Sequence, residues 1–345
     1  MKKKELVNCG YLSSTNDKVL LGNYSYAFNL FKQFIENKMF QLNVEEIIID
    51  SSLDLSTYIS SLKEGSFFAW TNNSLKIVSK KESKTLLRNL ILDIFDVFKS
   101  FFKDFLSIIT IEGSIYKNDD YLVLSYVDEE NVLKEILGAK IILDNGSYSF
   151  SIELNNNFLL DLLSSNYYDG ILHLNTSIQR KKIVILPYKE NEKGVRKKAV
   201  ELQNILLENG IDSILDVENV PNKDKMEEYL RKGFSAFIEF GPKEIENFQF
   251  RLYFLNKEEY TLVDEEKFIK TLRRKLEKMN SALLNKSIEK LINKRKEYVN
   301  LCDNCIENRK DLRLLNPFSQ SIIDDTCESC NKKVTRFYLR LAIKN

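Results

Sequence analysis

The sequence predicts an α+β region built on antiparallel strands, then an α/β domain, then a small cysteine-rich module. Three observations predict this. Strand-like segments follow one another between residues 108 and 154, strand and helix patterns alternate from about residue 181, and two Cys-x2-Cys pairs lie in the last 44 residues. A chain of 345 residues exceeds one ordinary core and suits two or three domains.

In the first region, Phe28, Phe31, Ile35, Met39 and Leu42 recur every three or four places and predict a helix over 24–42. Strands are expected over 44–50 and 66–72, and a long helix over 82–105. Strands then follow at 108–116, 121–127, 139–144 and 148–154, with Asn145-Gly146 as a hairpin turn. A short helix is expected at 158–165. All four prolines lie beyond residue 186, and Arg88 is the only arginine before Arg180, so a boundary is placed near residue 178.

Beyond it, the strand KKIVILPY (181–188) leads to a helix over 194–209 that Gly210 ends. A strand at 211–217, a helix ending at Gly233, a strand at 235–241 and a hairpin over 248–264 follow. A long basic helix is expected over 265–299. Strands alternating with helices predict a three-layer domain with a mostly parallel sheet. The domains are read as 1–178, 179–264 and 265–345.

The charge balance excludes a generally basic surface. Lysine plus arginine (51) nearly cancels aspartate plus glutamate (50), so any nucleic-acid surface must be local. The N-terminal lysines precede no apolar run, so no signal peptide is expected. The most apolar stretch, 86–111, is interrupted by Arg88, Asp93, Asp96, Lys99, Lys103 and Asp104, the pattern of an amphipathic helix and not a membrane span. Four paired cysteines of five do not form a secreted disulfide framework; a cytoplasmic location is expected.

The most specific local signal is Cys302-x2-Cys305 with Cys327-x2-Cys330. Two such pairs can set four sulfurs around a tetrahedral Zn²⁺ at about 2.3 Å each, a structural site with no open position. Free thiols or two disulfides are the alternative. Cys9 is remote from this array. The basic helix carries Arg273, Arg274, Lys278, Lys290 and Lys294, candidates for contact with a phosphate backbone, or else a solvated helix face. His173 is the only histidine and is read as structural. The sequence holds no P-loop, GxGxxG or nucleophile elbow.

Residues 180–345 resemble the anticodon-binding part of class II aminoacyl-tRNA synthetases, above all prolyl-tRNA synthetases of the archaeal and eukaryotic type. QRKKIVILPY is similar to the family's first strand, and ENGIDSILDV to its next, with Asp216 in the family's Asp place. In KMEEYLRKGFSAFIEFGPKEIE, Glu228, Gly233, Glu239, Gly241 and Pro242 fall in register with the family. The paired cysteines and the aromatic segment VTRFYLRLAIKN resemble the family's C-terminal zinc module, although the chain closes on Ala342-Ile343-Lys344-Asn345 where the family has a tyrosine. Residues 24–49 are similar to the family's motif 1, SFFAWTNN to the approach to motif 2, and 81–114 to the helix and strand after motif 2; between 73 and 81 the arms of motif 2 are missing.

The resemblance therefore implies a degenerate class II catalytic domain. The family holds ATP phosphates with a motif 2 and a motif 3 arginine, because fixed cations must stand where negative charge develops. Arg88 lies in the expected helix, and YYDGILHLNTSIQRKK lacks a motif 3 pattern. The expectation is a non-catalytic paralogue that binds tRNA or another RNA and forms a homodimer, or a heterodimer with a synthetase, through motif 1. One alternative is a divergent proline–tRNA ligase using Lys76, Lys80 and Lys81, although lysine is a point charge without arginine's two-pronged grip. The other is a protein–protein accessory subunit built on a synthetase scaffold. Phe234 and Tyr229 are candidate base-stacking aromatics, or else core residues.

Overall fold

A computed structural model describes residues 6–7, 11, 22–48, 58, 61, 64–71, 74–105, 110–114, 121–127, 133–154, 157–168, 171–192, 194–254, 259–295, 298–300, 302–306, 312–315, 326–332 and 337–340. Cys9, the end of the strand expected at 44–50, and residues 342–345 lie outside the described residues. The described residues fall into two compact units. One is drawn from 1–30, 105–107 and 162–286, the other from 31–104, 108–161 and 287–345.

Helix α1 (Gly22–Gln41) buries Tyr24, Ala27, Phe31, Ile35 and Met39, one stripe at helical spacing. Strands β1 (Glu45–Glu46), β2 (Gly65–Thr71) and β3 (Ser74–Lys81) come next, then α2 (Lys84–Phe105). Strands β4 (Thr110–Ser114), β5 (Tyr121–Val127), β6 (Leu133–Asp144) and β7 (Ser147–Leu154) complete a seven-stranded sheet in the order β1-β2-β3-β7-β6-β5-β4. Only the β1–β2 pair is parallel. The β6–β7 turn is the expected one: Asn145 and Gly146 both have positive φ, 49° and 81°, which a two-residue hairpin of this hand requires.

The apolar stripe of α2, including Leu87, Ile91, Ile94, Phe95, Phe98, Phe101 and Phe102, is buried. Phe31 meets Trp70, Phe98, Phe101 and Phe158 with ring centroids 5.1–6.2 Å apart, mostly edge to face. Phe158 belongs to α3 (Asn157–Ser165). The stretch 74–81, which lacks the sequence pattern of the motif 2 arms, forms β3 and pairs with β2 from Gly65↔Lys80 to Thr71↔Ser74. Of the strand expected at 44–50, the described residues show two paired positions, Glu45 and Glu46 in β1.

In the other unit, the short pair β8 (Tyr167–Tyr168) and β9 (Ile171–Leu172) precedes β10 (Ile183–Pro187), α4 (Val195–Glu208) and β11 (Ser213–Leu215). Then come α5 (Asn222–Arg231), β12 (Ala236–Phe240), α6 (Pro242–Glu246), β13 (Gln249–Phe254), β14 (Tyr260–Asp264) and α7 (Phe268–Arg295). The sheet order is β11-β10-β12-β13-β14. The mostly parallel sheet expected from the sequence is in fact mixed: β11, β10 and β12 run parallel, whereas β13 and β14 are antiparallel. The β12–β13 link holds only the short α6, too little chain for a crossover. The three layers are present. Ile183, Ile185, Val195, Leu202, Phe268 and Leu272 share the core on one face of the sheet, and Val184, Leu186, Met226, Leu230 and Phe237 share that on the other. Glu265–Lys267 form a 3-10 turn, so α7 begins three residues after its expected start.

Beyond α7, β15 (Tyr298–Asn300), α8 (Asp303–Ile306), β16 (Leu312–Leu315) and β17 (Phe337–Arg340) give a three-stranded antiparallel sheet in the order β15-β17-β16. Among the described residues, no helix is long and apolar enough to cross a membrane.

Candidate nucleic-acid interface and metal centre

Glu239, on β12, lies in register with Arg251 on β13, which in turn pairs with Leu262 on β14. Arg251 reaches two carboxylates: Nη1 lies 3.4 Å from Glu239 Oε2, and Nη2 donates to Glu244 Oε1 at 2.6 Å. Its guanidinium also stacks between aromatic rings, 5.7 Å from the centroid of Tyr188 and 5.2 Å from that of Tyr260. The Nε of Arg251 is buried and has no hydrogen-bond partner.

Local sequence sets this geometry. Pro242 opens α6, where its missing N–H costs nothing, and Glu244 reaches back to accept from Gly241 N–H at 3.1 Å. Gly241 is required by close approach: a Cβ there would fall 2.3 Å from the Tyr188 ring. Burial opposes ionisation of Glu244, but the Tyr188 hydroxyl, Arg251 and the Gly241 N–H outweigh it and hold its carboxyl below the ordinary value. Burial, reinforced by Glu244, pushes Tyr188 up to about 12. Tyr253 donates to Glu239 Oε2 at 2.9 Å, and Asn222 Nδ2 donates to Glu239 Oε1 and to the Leu186 carbonyl, both at 3.0 Å.

A cleft of about 290 Å³ opens beside this cluster, at the carboxyl ends of β10 and β11. There the neighbours of β10 depart in opposite directions, the place where open α/β sheets bind ligands. Tyr188, Glu190, Asn191, Glu218, Asn219 and Asn222 line it. Its wall is held by a buried pair, Lys225 Nζ to Asp216 Oδ1 at 2.9 Å, with Glu218 N–H donating to the same oxygen at 2.9 Å. Burial opposes ionisation of Asp216, but that N–H and Lys225 bring its pKa below the ordinary value.

Arg273, Arg274 and Lys278 are exposed on α7. Arg273 is already engaged, donating to the Asn209 carbonyl at 2.8 Å, where it caps the C-terminal end of α4. Lys290 and Lys294 lie in α7, but their side chains are outside the described residues. Tyr229 and Phe234 touch edge to face and pack on the Met226–Phe237 core. Lys80 is buried, whereas Lys76 and Lys81 are half-buried, and Arg88 is half-buried on α2. The sequence reading missed the Arg251 cluster; its one signal was Glu239 and Gly241 falling in the family's register.

The four cysteines are brought together. Their Sγ atoms all lie within 4.8 Å of one another, and Cys302 and Cys330 approach to 3.5 Å. Cys327 N–H donates to the Lys332 carbonyl at 2.7 Å and Asn331 N–H to the Cys327 carbonyl at 2.8 Å, closing a tight turn. Asn331 holds the left-handed conformation this turn needs (φ 55°), one asparagine tolerates. A tetrahedral ion at about 2.3 Å from each sulfur would space them about 3.8 Å apart, so this donor set fits Zn²⁺.

Parts of the chain are similar to known proteins. Residues 182–275 match the family described as anticodon binding domain. A histidine–tRNA ligase of Sulfolobus acidocaldarius is 31% identical over 112 residues, covering 32% of this chain and 23% of that protein. A proline–tRNA ligase of Clostridium botulinum (strain 657) is 28% identical over 194 residues, covering 48% and 39%. Proline–tRNA ligase 2 of Bacillus thuringiensis is 23% identical over 219 residues, covering 57% and 46%. The chain thus spans less than half the length of each of these relatives. The crystal structure of prolyl-tRNA synthetase from Cryptosporidium parvum, solved with L-proline and AMP, shares the fold with a TM-score of 0.79 over 99% of this chain and 94% of that one, at 12% identity. An anticodon-binding domain within a synthetase-like fold makes this chain a relative of the class II aminoacyl-tRNA synthetases, close to the prolyl-tRNA synthetases.

Proposed function

We propose that the chain is a non-catalytic paralogue of prolyl-tRNA synthetase that binds tRNA, or another RNA, through its anticodon-binding domain. The observation that carries this reading is the cleft beside Arg251. Its lining of asparagines and glutamates offers hydrogen-bonding groups suited to base edges rather than phosphates, and Tyr188 and Tyr260 supply ring faces. Arg274 and Lys278 on α7 would take the phosphate backbone.

The absence of amino-acid activation rests on the arginine count. Arg88 alone precedes Arg180, and it sits on α2. The lysine alternative is weak at Lys80, whose burial keeps it from a solvent-borne triphosphate. Homodimerisation, or pairing with a synthetase, belongs to the same reading: Phe40 near the end of α1 and Ile48 after β1 are exposed apolar side chains. The four cysteines would hold a structural Zn²⁺ that fixes the β15–β17 sheet, and the protein would work in the cytoplasm.

The test is a pair of measurements on the full chain. Titration with tRNA at low salt should give saturable binding that weakens as salt rises. Proline-dependent ATP–pyrophosphate exchange should stay at the blank. Exchange above the blank and lost in Lys76→Ala or Lys81→Ala would establish the divergent ligase instead.

A further inference from the structure

β10 and β12 are parallel neighbours, so the chain enters both strands at the same end of the sheet, opposite to the cleft at Tyr188 and Asn222. At that end Gln179, Arg180 and Lys181 lead into β10, and Lys232, Gly233 and Phe234 lead into β12. Together they line a recess of about 10 Å³.

Gln179 follows the 3-10 turn Thr176–Ile178, which α7 pins: Asn280 Oδ1 accepts from Thr176 N–H at 3.0 Å. The Gln179 side chain is only 6% exposed. Its Nε2 donates to the Gly233 carbonyl at 2.8 Å and to the Leu174 carbonyl at 3.4 Å. Carbonyls only accept, so these two contacts fix the nitrogen on their side and set the orientation of the amide. Gly233 presents its carbonyl from a φ of 90°, in the left-handed region that glycine enters freely. Gln179 Oε1 is buried with no hydrogen-bond partner. A buried acceptor in that state calls for a donor from outside the protein.

Size and charge select the donor. About 10 Å³ holds one water-sized group, so a ring is excluded and a single hydroxyl is not. The rim is cationic. Lys232 is paired with Glu228 and lies over the Tyr229 ring, whereas Arg180 and Lys181 are exposed and have no acidic partner among the described residues. An ammonium donor would meet these charges, so the recess suits a neutral donor carried beside an anion. In a nucleic acid that combination is the ribose 2′-hydroxyl with its neighbouring phosphate, and the same hydroxyl tells RNA from DNA.

We infer that the recess is a ribose–phosphate subsite for single-stranded RNA. Gln179 Oε1 accepts from a 2′-hydroxyl, and Arg180 and Lys181 hold the adjoining phosphate. The inference rests on the RNA-binding reading above and adds a preference for RNA over DNA, exerted at the other end of the sheet without reading a base.

The probe is a short fluorescent single-stranded RNA, titrated against the full chain at low salt beside the DNA and the 2′-O-methyl RNA of the same sequence. The RNA should bind about tenfold tighter than either counterpart, since both lack the donor. Gln179→Met removes the acceptor, keeps the side-chain length, and should bring the three affinities within about twofold of one another. That substitution also removes the bond to Gly233, so the readout is the ratio of RNA to DNA affinity, which a general loosening leaves unchanged. Arg180→Gln with Lys181→Gln alters exposed side chains alone. It should weaken RNA and DNA alike and lower the salt slope by about one for each phosphate no longer neutralised. A ratio near one in the parent, a ratio that Gln179→Met leaves unchanged, or an unaltered salt slope in the double substitution overturns the subsite while RNA binding stands. No saturation with RNA overturns both the subsite and the reading it rests on. Saturable binding of adenosine 5′-monophosphate, as tight as that of the RNA and lost in Gln179→Met, would overturn it in favour of a free ribonucleotide.

Discussion

Arg251 Nη2 lies 2.6 Å from Glu244 Oε1, and this pair joins β13 to the start of α6. The contact satisfies a carboxylate that is only 5% exposed and aims the guanidinium between Tyr188 and Tyr260.

Replacing Arg251 with alanine leaves Glu239 and Glu244 without their cation. The expected loss is about 2 kcal/mol, discounted for the partial exposure of Arg251. Arg251→Lys keeps the charge but not the fork or the stacking, so it should recover part of the stability and little of the tRNA affinity. Denaturant titration and tRNA titration measured together separate the two effects. Unchanged affinity in Arg251→Lys would remove Arg251 from the interface.

Arg273 should behave differently from its neighbours. Because it caps α4 at Asn209, Arg273→Ala should cost about 0.5–1 kcal/mol of stability. Arg274→Glu with Lys278→Glu should change stability by less than about 0.5 kcal/mol. The double substitution should weaken RNA binding for all sequences alike and reduce the salt slope by about one for each phosphate no longer neutralised. A slope equal to the parent's would place the phosphate-binding groups elsewhere.

The buried pair Lys225–Asp216 predicts a response to mutation. Lys225→Met leaves a buried carboxylate unpaired and should cost about 3 kcal/mol. Lys225→Met with Asp216→Leu should cost less than Lys225→Met alone, since no charge is then stranded. Equal costs would show that Glu218, and not Lys225, carries Asp216.

Acid stability follows from the same carboxylates. Asp216 and Glu244 have folded pKa values below their ordinary 3.8 and 4.5. A depressed carboxylate pKa means that the unfolded chain binds the proton first. Their contribution is therefore complete above about pH 5.5 and is lost as pH falls below about 4. Asp216→Asn should be less stable at pH 7 and show a shallower decline between about pH 5 and pH 3, measured by urea midpoints. A decline as steep as the parent's would exclude Asp216 as a source.

Metal analysis should find about one zinc per chain, with tetrahedral sulfur coordination by X-ray absorption. Chelation or Cys327→Ser should loosen the β15–β17 sheet, read as faster hydrogen exchange at Tyr298–Asn300 and Phe337–Arg340, because binding of such an ion is coupled to local folding. Protein purified without chelator that holds well under half an equivalent would refute the zinc site.

The sequence by itself determined the elements whose cause is local. The stripes of α1 and α2 and the Asn145-Gly146 turn follow from side-chain period and backbone preference, which act over a few residues. The two Cys-x2-Cys pairs were legible for the same reason: each pair is a short-range constraint, and only the meeting of the pairs is long-range. The tertiary structure decided the rest. Glu239, Glu244 and Arg251 meet Tyr188 and Tyr260 only because β10, β12, β13 and β14 lie side by side, an order set by which apolar faces are buried together. The same order left β14 on an edge, buried Lys80 and Lys225 against expectation for lysine, and turned Arg273 onto the end of α4. No period in the chain encodes such placements, because each depends on residues distant in sequence whose contact is enforced by the core and not by their own chemistry.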